Sequence, residues 1–124
     1  MMRALLLVAH GSRRQSSNDE VRELASKVRG AGAPFDIVEH AFMEMAEPGI
    51  TAGLDKLINA GATEIVVLPY LLAAGRHVAS DIPAEVESLA RRHPRVHITL
   101  APHLGAAGGM PEWICAHLRR AEKQ

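Results

Sequence analysis

Apolar positions run through this chain in two alternating rhythms. Ala4 to Ala9 is an unbroken apolar run, the mark of a strand buried on both faces. Glu64 to Leu68, "EIVVL", repeats it in mid-chain. Elsewhere the apolar residues space out at threes and fours. Val21, Leu24, Ala25 and Val28 make one helical stripe, and Ser17 with Glu20 just before it reads as a capping box. Ile50, Leu54, Leu57 and Ile58 make a second, with Pro48 suited to its first turn. Ile82, Val86, Leu89 and Ala90 make a third, for which Asp81 is the expected N-cap. Gly30 and Gly32, then Gly61, then Pro94 stop these helices. Phe35 to Phe42 and Val96 to Leu100 read as the other two strands, the first mixed enough in polarity to lie near an edge. Met110 to Arg120 reads as a last helix with Pro111 in its first turn.

Strand and helix therefore alternate four times. That pattern predicts an α/β fold, a four-stranded parallel sheet with helices on both faces and right-handed crossovers. The two most apolar strands belong in the centre, which gives the order 2-1-3-4. Residues 1–124 are expected to form a single domain. Ligands of such sheets bind beyond the carboxyl ends of the strands, where the order reverses. Here that point lies between the first and third strands, so the residues just after each strand matter most.

His10-Gly11-Ser12-Arg13-Arg14 comes after the first strand, and Met43, Glu44, Met45 and Glu47 come after the second. "PYLLAAGRHVAS", Pro69 to Ser80, comes after the third, and Pro102-His103 after the fourth. With the helix starting near Asp81, the third connection is about twice the usual 2–6 residues. It is apolar at Tyr70, Leu71 and Leu72, small at Ala73, Ala74 and Gly75, then basic at Arg76 and His77. A loop of that kind suits the wall of a site for a flat apolar ligand; it could also simply pack on the next helix.

Taken singly, each rim residue has a plain structural reading. His10 could cap a strand, His77 could be a solvated loop histidine, and Glu44 could be a surface acid. Together, two histidines and a carboxylate make a constellation suited to a borderline divalent cation such as Co²⁺, Ni²⁺, Fe²⁺ or Zn²⁺. They also suit proton removal near neutral pH. A closed structural zinc site is not expected, because four compactly spaced ligands are absent. His40 and His97 fall within strands, His93 ends a helix and His117 lies in the last one, so all four read as background. His103 fits the rim and an ordinary turn equally well.

Composition narrows the classes. Fourteen acidic and fourteen basic residues leave no net charge to favour nucleic acid or an anionic membrane. No apolar run approaches a membrane span. The opening apolar stretch reads as a first core strand rather than a signal peptide. Cys115 is the only cysteine, which suits a reducing cytoplasm.

The segments "LLLVAHGSRRQSSNDEV", "FMEMAEPGI", "VVLPYLLAAGRHVASDIP" and "APHLG" resemble the small class II chelatases of the CbiX and SirB type. The resemblance covers nearly the whole chain, and "AHGSR" with "GRHVASDIP" carries most of it. It implies a chelatase-type sandwich that inserts a divalent metal into sirohydrochlorin. Co²⁺ is foremost as the metal, with Ni²⁺ or Fe²⁺ as alternatives, and the product would serve cobalamin, siroheme or a nickel tetrapyrrole. It also implies that His10 is metal ligand and proton acceptor, that His77 completes the metal site, and that Glu44 contacts the tetrapyrrole or helps move protons. Leu72, Ala73, Ala74, Gly75 and Arg76 correspond to the loop touching the macrocycle. The short form of the family is a homodimer. The metal is a substrate, and no permanent cofactor is implied. The histidine-rich stretch and C-x-x-C pair of some longer members are absent from this sequence.

The chemistry is coherent on its own terms. Two pyrrolic protons must leave a free-base tetrapyrrole as the metal enters, and two histidines with a carboxylate can divide the work of holding the cation and accepting protons. Leu71, Leu72, Met43 and Phe42 could form the apolar wall. Arg13, Arg14 and Arg76 could meet the peripheral carboxylates, helped by Ser12 and the backbone N–H groups after Gly11. Two rivals remain from sequence. One is a metal or tetrapyrrole carrier on the same scaffold. The other is a histidine phosphatase, which would want an arginine where Ala9 stands.

Overall fold

A computed structural model describes residues 2–123 and, of His77, the backbone alone. Its elements run β1 (Arg3–Ala9), α1 (Gln15–Gly30), β2 (Ile37–Phe42), α2 (Ile50–Asn59), β3 (Glu64–Pro69), α3 (Arg76–Arg92), β4 (His97–Leu100), a 3₁₀ turn (Leu104–Ala106) and α4 (Met110–Glu122). The strands form one sheet in the order β2-β1-β3-β4, and every pairing is parallel. This is the order expected from the apolar runs, with the mixed-polarity strand at an edge.

Alternation along β1 divides the core. Ala4, Leu6 and Val8 join Ala41, Ile65 and Val67 under the apolar stripes of α2 and α3, including Leu54, Leu57, Ile82 and Leu89. Leu5 and Leu7 point the other way, with Val38, onto Ala25 of α1. A third small cluster joins Ala9, Phe42 and Val21 near the carboxyl ends. Gly53 lets α2 sit close on the sheet, since a Cβ there would press on Ala41 and Leu6. α4 buries none of its residues.

Three helix starts differ from expectation. α2 begins at Ile50 with Gly49 in the N-cap position, so Pro48 stands before the helix and not in its first turn. α1 begins at Gln15 with Arg14 in the N-cap position, so Ser17 lies inside the helix and the Ser17–Glu20 capping box does not form. The chain turns early because the Ser12 hydroxyl accepts a hydrogen bond from the Arg14 N–H at 3.0 Å, and the Ser17 N–H already reaches the Arg14 carbonyl. α3 begins at Arg76, not near Asp81, with Gly75 in the N-cap position. Asp81 followed by Pro83 looks like a cap and a first-turn proline, but the helix runs through Pro83. The connection after β3 is therefore residues 70–75, an ordinary length.

The ladder between β1 and β2 continues past the strand ends. The Met43 N–H donates to the Ala9 carbonyl at 2.9 Å, and the Glu44 N–H donates to the His10 carbonyl at 3.1 Å. Gly11 then turns the chain at φ +94°, and a Cβ there would collide with the Glu44 carbonyl oxygen. Only glycine meets both demands.

Two substitutions check this account. Leu54→Ala, at a fully buried position, is expected to lower the unfolding free energy by about 2–5 kcal/mol in urea titrations. Gly11→Ala, which adds a left-handed alanine and a backbone collision, is expected to cost at least about 1 kcal/mol in the same measurement.

Candidate active site

Register and the Gly11 turn bring His10 and Glu44 together. Their side chains approach to 3.5 Å between Nδ1 and Oε1, with 56% and 51% of each exposed. The pair is open to solvent at the rim, and with Nδ1 turned to the carboxylate, Nε2 is the ring nitrogen left to take a proton or a cation. His77 is the second residue of α3; its side chain lies outside the described residues. Among the described residues no three metal-ligating side chains gather into one group.

The rest of the predicted rim separates into an exposed and a buried part. Arg13, Arg14 and Arg76 are exposed and enter no ion pair among the described residues. Leu72 is 76% exposed, and Met45 and Tyr70 are also open. Ala73 and Gly75 are exposed and Ala74 partly so. Met43 and Leu71 are half-buried against the α2–α3 side of the core. Phe42 is the correction: it is fully buried, packed with Ala9 and Val21, and so supports the β2 loop from beneath instead of facing a ligand. Met45, at φ +64°, is the apolar side chain that this loop exposes in its place.

The loop after β3 is held from a second direction. The Gly105 N–H donates to the Leu71 carbonyl at 2.9 Å, and a Cβ at Gly105 would collide with the Leu72 carbonyl. His103 is half-buried at the start of this 3₁₀ turn. His40, expected as background, lies on β2 against Phe42. Burial, then the nearby Arg22 guanidinium, holds its pKa below 6.5, which keeps it neutral at neutral pH.

Two residues of the site are not evident from the sequence. Asn18 is 3% exposed, the one buried polar residue among those described. Its Oδ1 accepts from the Ser12 N–H at 3.0 Å, and its Nδ2 donates to the Ser12 carbonyl at 2.8 Å. Arg22, one turn on, donates from Nη2 to the Glu47 carbonyl at 3.0 Å and lies over the Phe42 ring. The signal for Asn18 is its place on the stripe 18-21-25-28, a polar residue at an apolar position.

Comparison with known proteins shows the family and the fold. The CbiX family model matches residues 4–121. The chain is 45% identical over 82 residues to a sirohydrochlorin cobaltochelatase of Methanococcus maripaludis, covering 66% of this chain and 56% of that protein. It is 36% identical over 107 residues to a sirohydrochlorin ferrochelatase of Bacillus subtilis, covering 85% of this chain and 40% of that protein. The chain thus spans about half the length of these relatives. Among solved structures it is similar to a putative cobalamin biosynthesis CbiX protein from Marinobacter aquaeolei, at TM-score 0.78 and 27% identity over 98% of both chains. It is also similar to the sirohydrochlorin chelatase SirB of Bacillus subtilis subspecies spizizenii in complex with cobalt. There the TM-score is 0.82 at 29% identity, over 97% of this chain and 51% of that one. A family match that runs from the second residue of β1 into the last turn of α4 settles the assignment: the chain belongs to the CbiX family.

Proposed function

We propose that this chain inserts a divalent metal ion, Co²⁺ foremost and Ni²⁺ or Fe²⁺ as alternatives, into sirohydrochlorin. The observation that carries the reading is the His10–Glu44 pair at the switch point of the sheet, beside exposed Leu72 and Met45. Relatives named for cobalt and for iron insertion into this substrate support it.

In this reading the macrocycle lies across the apolar rim, and Arg13, Arg14 and Arg76 meet its carboxylates. The metal ion bonds to all four ring nitrogens as two pyrrolic N–H bonds break, and both protons leave. His10 takes one proton or holds the cation through Nε2, while Glu44 holds the Nδ1 side of the ring. His77 shares metal binding with His10, so neither imidazole is asked to do both tasks at once. The metal is consumed as substrate, and the protein carries no permanent cofactor. We place the single domain in the reducing cytoplasm on the strength of its lone cysteine. No described helix is long and apolar enough to cross a membrane.

We also propose a homodimer. Trp113, Ile114 and Leu118 expose about half their surface on α4, and the α1 side of β4 is bare at His97 and Thr99. Apolar area of that kind is normally covered. Relatives twice this length, which the chain matches over one half, support a second copy as the cover.

His10→Ala is expected to cut metal insertion by about 10²-fold or more in an anaerobic assay with purified protein, sirohydrochlorin and Co²⁺. Insertion at the wild-type rate would overturn the assignment. Wild-type protein that binds both partners without speeding metallation above the spontaneous rate would instead be a carrier. Sedimentation is expected to give twice the chain mass, and Trp113→Glu to give the single mass; a wild-type monomer defeats the dimer.

A further inference from the structure

The His10–Glu44 spacing is set by two loops, and one helix face grips both. Asn18 and Arg22 are one turn apart on α1 and so lie on one face. Asn18 takes both backbone polar groups of Ser12, two residues after His10. Arg22 takes the carbonyl of Glu47, three residues after Glu44, while its other Nη group pairs with Asp19 at 2.9 Å. We propose that Asn18 and Arg22 are positioning residues for the reaction. They fix the His10 loop against the Glu44 loop, so that imidazole and carboxylate keep a working separation as protons and metal exchange. The inference rests on the proposed metal insertion at His10 and Glu44.

The physical case has three parts. First, a buried amide costs free energy unless both its ends are bonded, and here both ends go to a single residue. Two bonds to one residue fix its orientation as well as its distance. Second, stability alone does not call for an asparagine here. Val21, Ala25 and Val28 fill the same stripe with apolar groups, and a neutral hydrogen bond adds little net stability because it replaces one to water. Third, the reacting pair has little packing of its own. His10 and Glu44 are half-exposed, so packing among the described residues restrains their side chains only in part. The rest of the restraint comes through the backbone: the Glu44 N–H joins the His10 carbonyl, and further along the loops are held by Asn18 on one side and Arg22 on the other. Geometry errors near 1 Å at a reacting centre cost about a hundredfold in rate.

The test is a double-mutant cycle in the anaerobic Co²⁺ insertion assay, with His10→Ala as the reference for loss of the site. Asn18→Ala is expected to fold, by far-UV circular dichroism, and to lower kcat by about tenfold or more with little change in KM for sirohydrochlorin. In a Glu44→Gln background the same substitution is expected to do much less, because the pair it positions is already broken. Arg22→Gln is expected to behave alike, with Arg22→Lys restoring part of the rate. If Asn18→Ala does not fold, Arg22→Gln and Arg22→Lys carry the cycle. Unchanged kcat, or equal losses with and without Glu44, would overturn the positioning role while His10→Ala stays inactive. A fully active His10→Ala would overturn the functional reading instead.

Discussion

The site depends on the hydrogen bond from the Glu44 N–H to the His10 carbonyl. It joins the two loops that leave β1 and β2, just beyond the last bond of their ladder. Parallel pairing makes that possible, because both strands reach the same rim in the same direction. A slip of one residue would turn Leu5 and Leu7 to the face now held by Leu6 and Val8, and the core forbids it. Burial at the centre of the sheet therefore sets which two side chains meet at its edge.

Most of this architecture is legible in the sequence. The unbroken run from Ala4 to Ala9 and the apolar middle of "EIVVL" can only be buried on both faces, and the central order follows. From that order, His10 and Glu44 on one rim follow too, though 34 positions separate them in sequence. The less legible features are those in which a side chain answers to backbone rather than to pattern. Ser17 with Glu20 satisfies the form of a capping box, yet Ser12 and Asn18 start the helix earlier. Asp81 before Pro83 has the form of a helix start, but the chain before it is already helical from Arg76. Phe42 follows the alternation of β2 and is buried against Ala9 and Val21, whereas its residue type alone suggests ligand surface. Asn18 is visible as an anomaly on an apolar stripe, but no periodicity says which peptide its amide will meet.

The same contrast separates two kinds of residue in the fold. Stability resides in Leu6, Leu54, Leu57, Ile65, Ile82 and Leu89, all nearly or wholly inaccessible. The residues assigned to chemistry and substrate stand on turns and helix starts around them. Gly11 and Gly105 are the exceptions, since each lets one rim loop press its backbone against another. They couple otherwise separate loops without contributing a side chain to either.

Pro83 carries this division into α3. It has no N–H to offer the carbonyl one turn back, so the helix loses a rung between its first turns and the rest. Around and beyond it, Ile82, Val86 and Leu89 bind the helix to the core. Before that, Val78 alone of the described side chains packs against this core, and Arg76, Ala79, Ser80 and Asp81 are exposed. The body of α3 thus works as a foundation, and its opening turns work as a bracket bolted to it. Such a bracket can be recut for a different cargo while the foundation is left alone, so a small fold of this kind can change what it handles without first being made more stable.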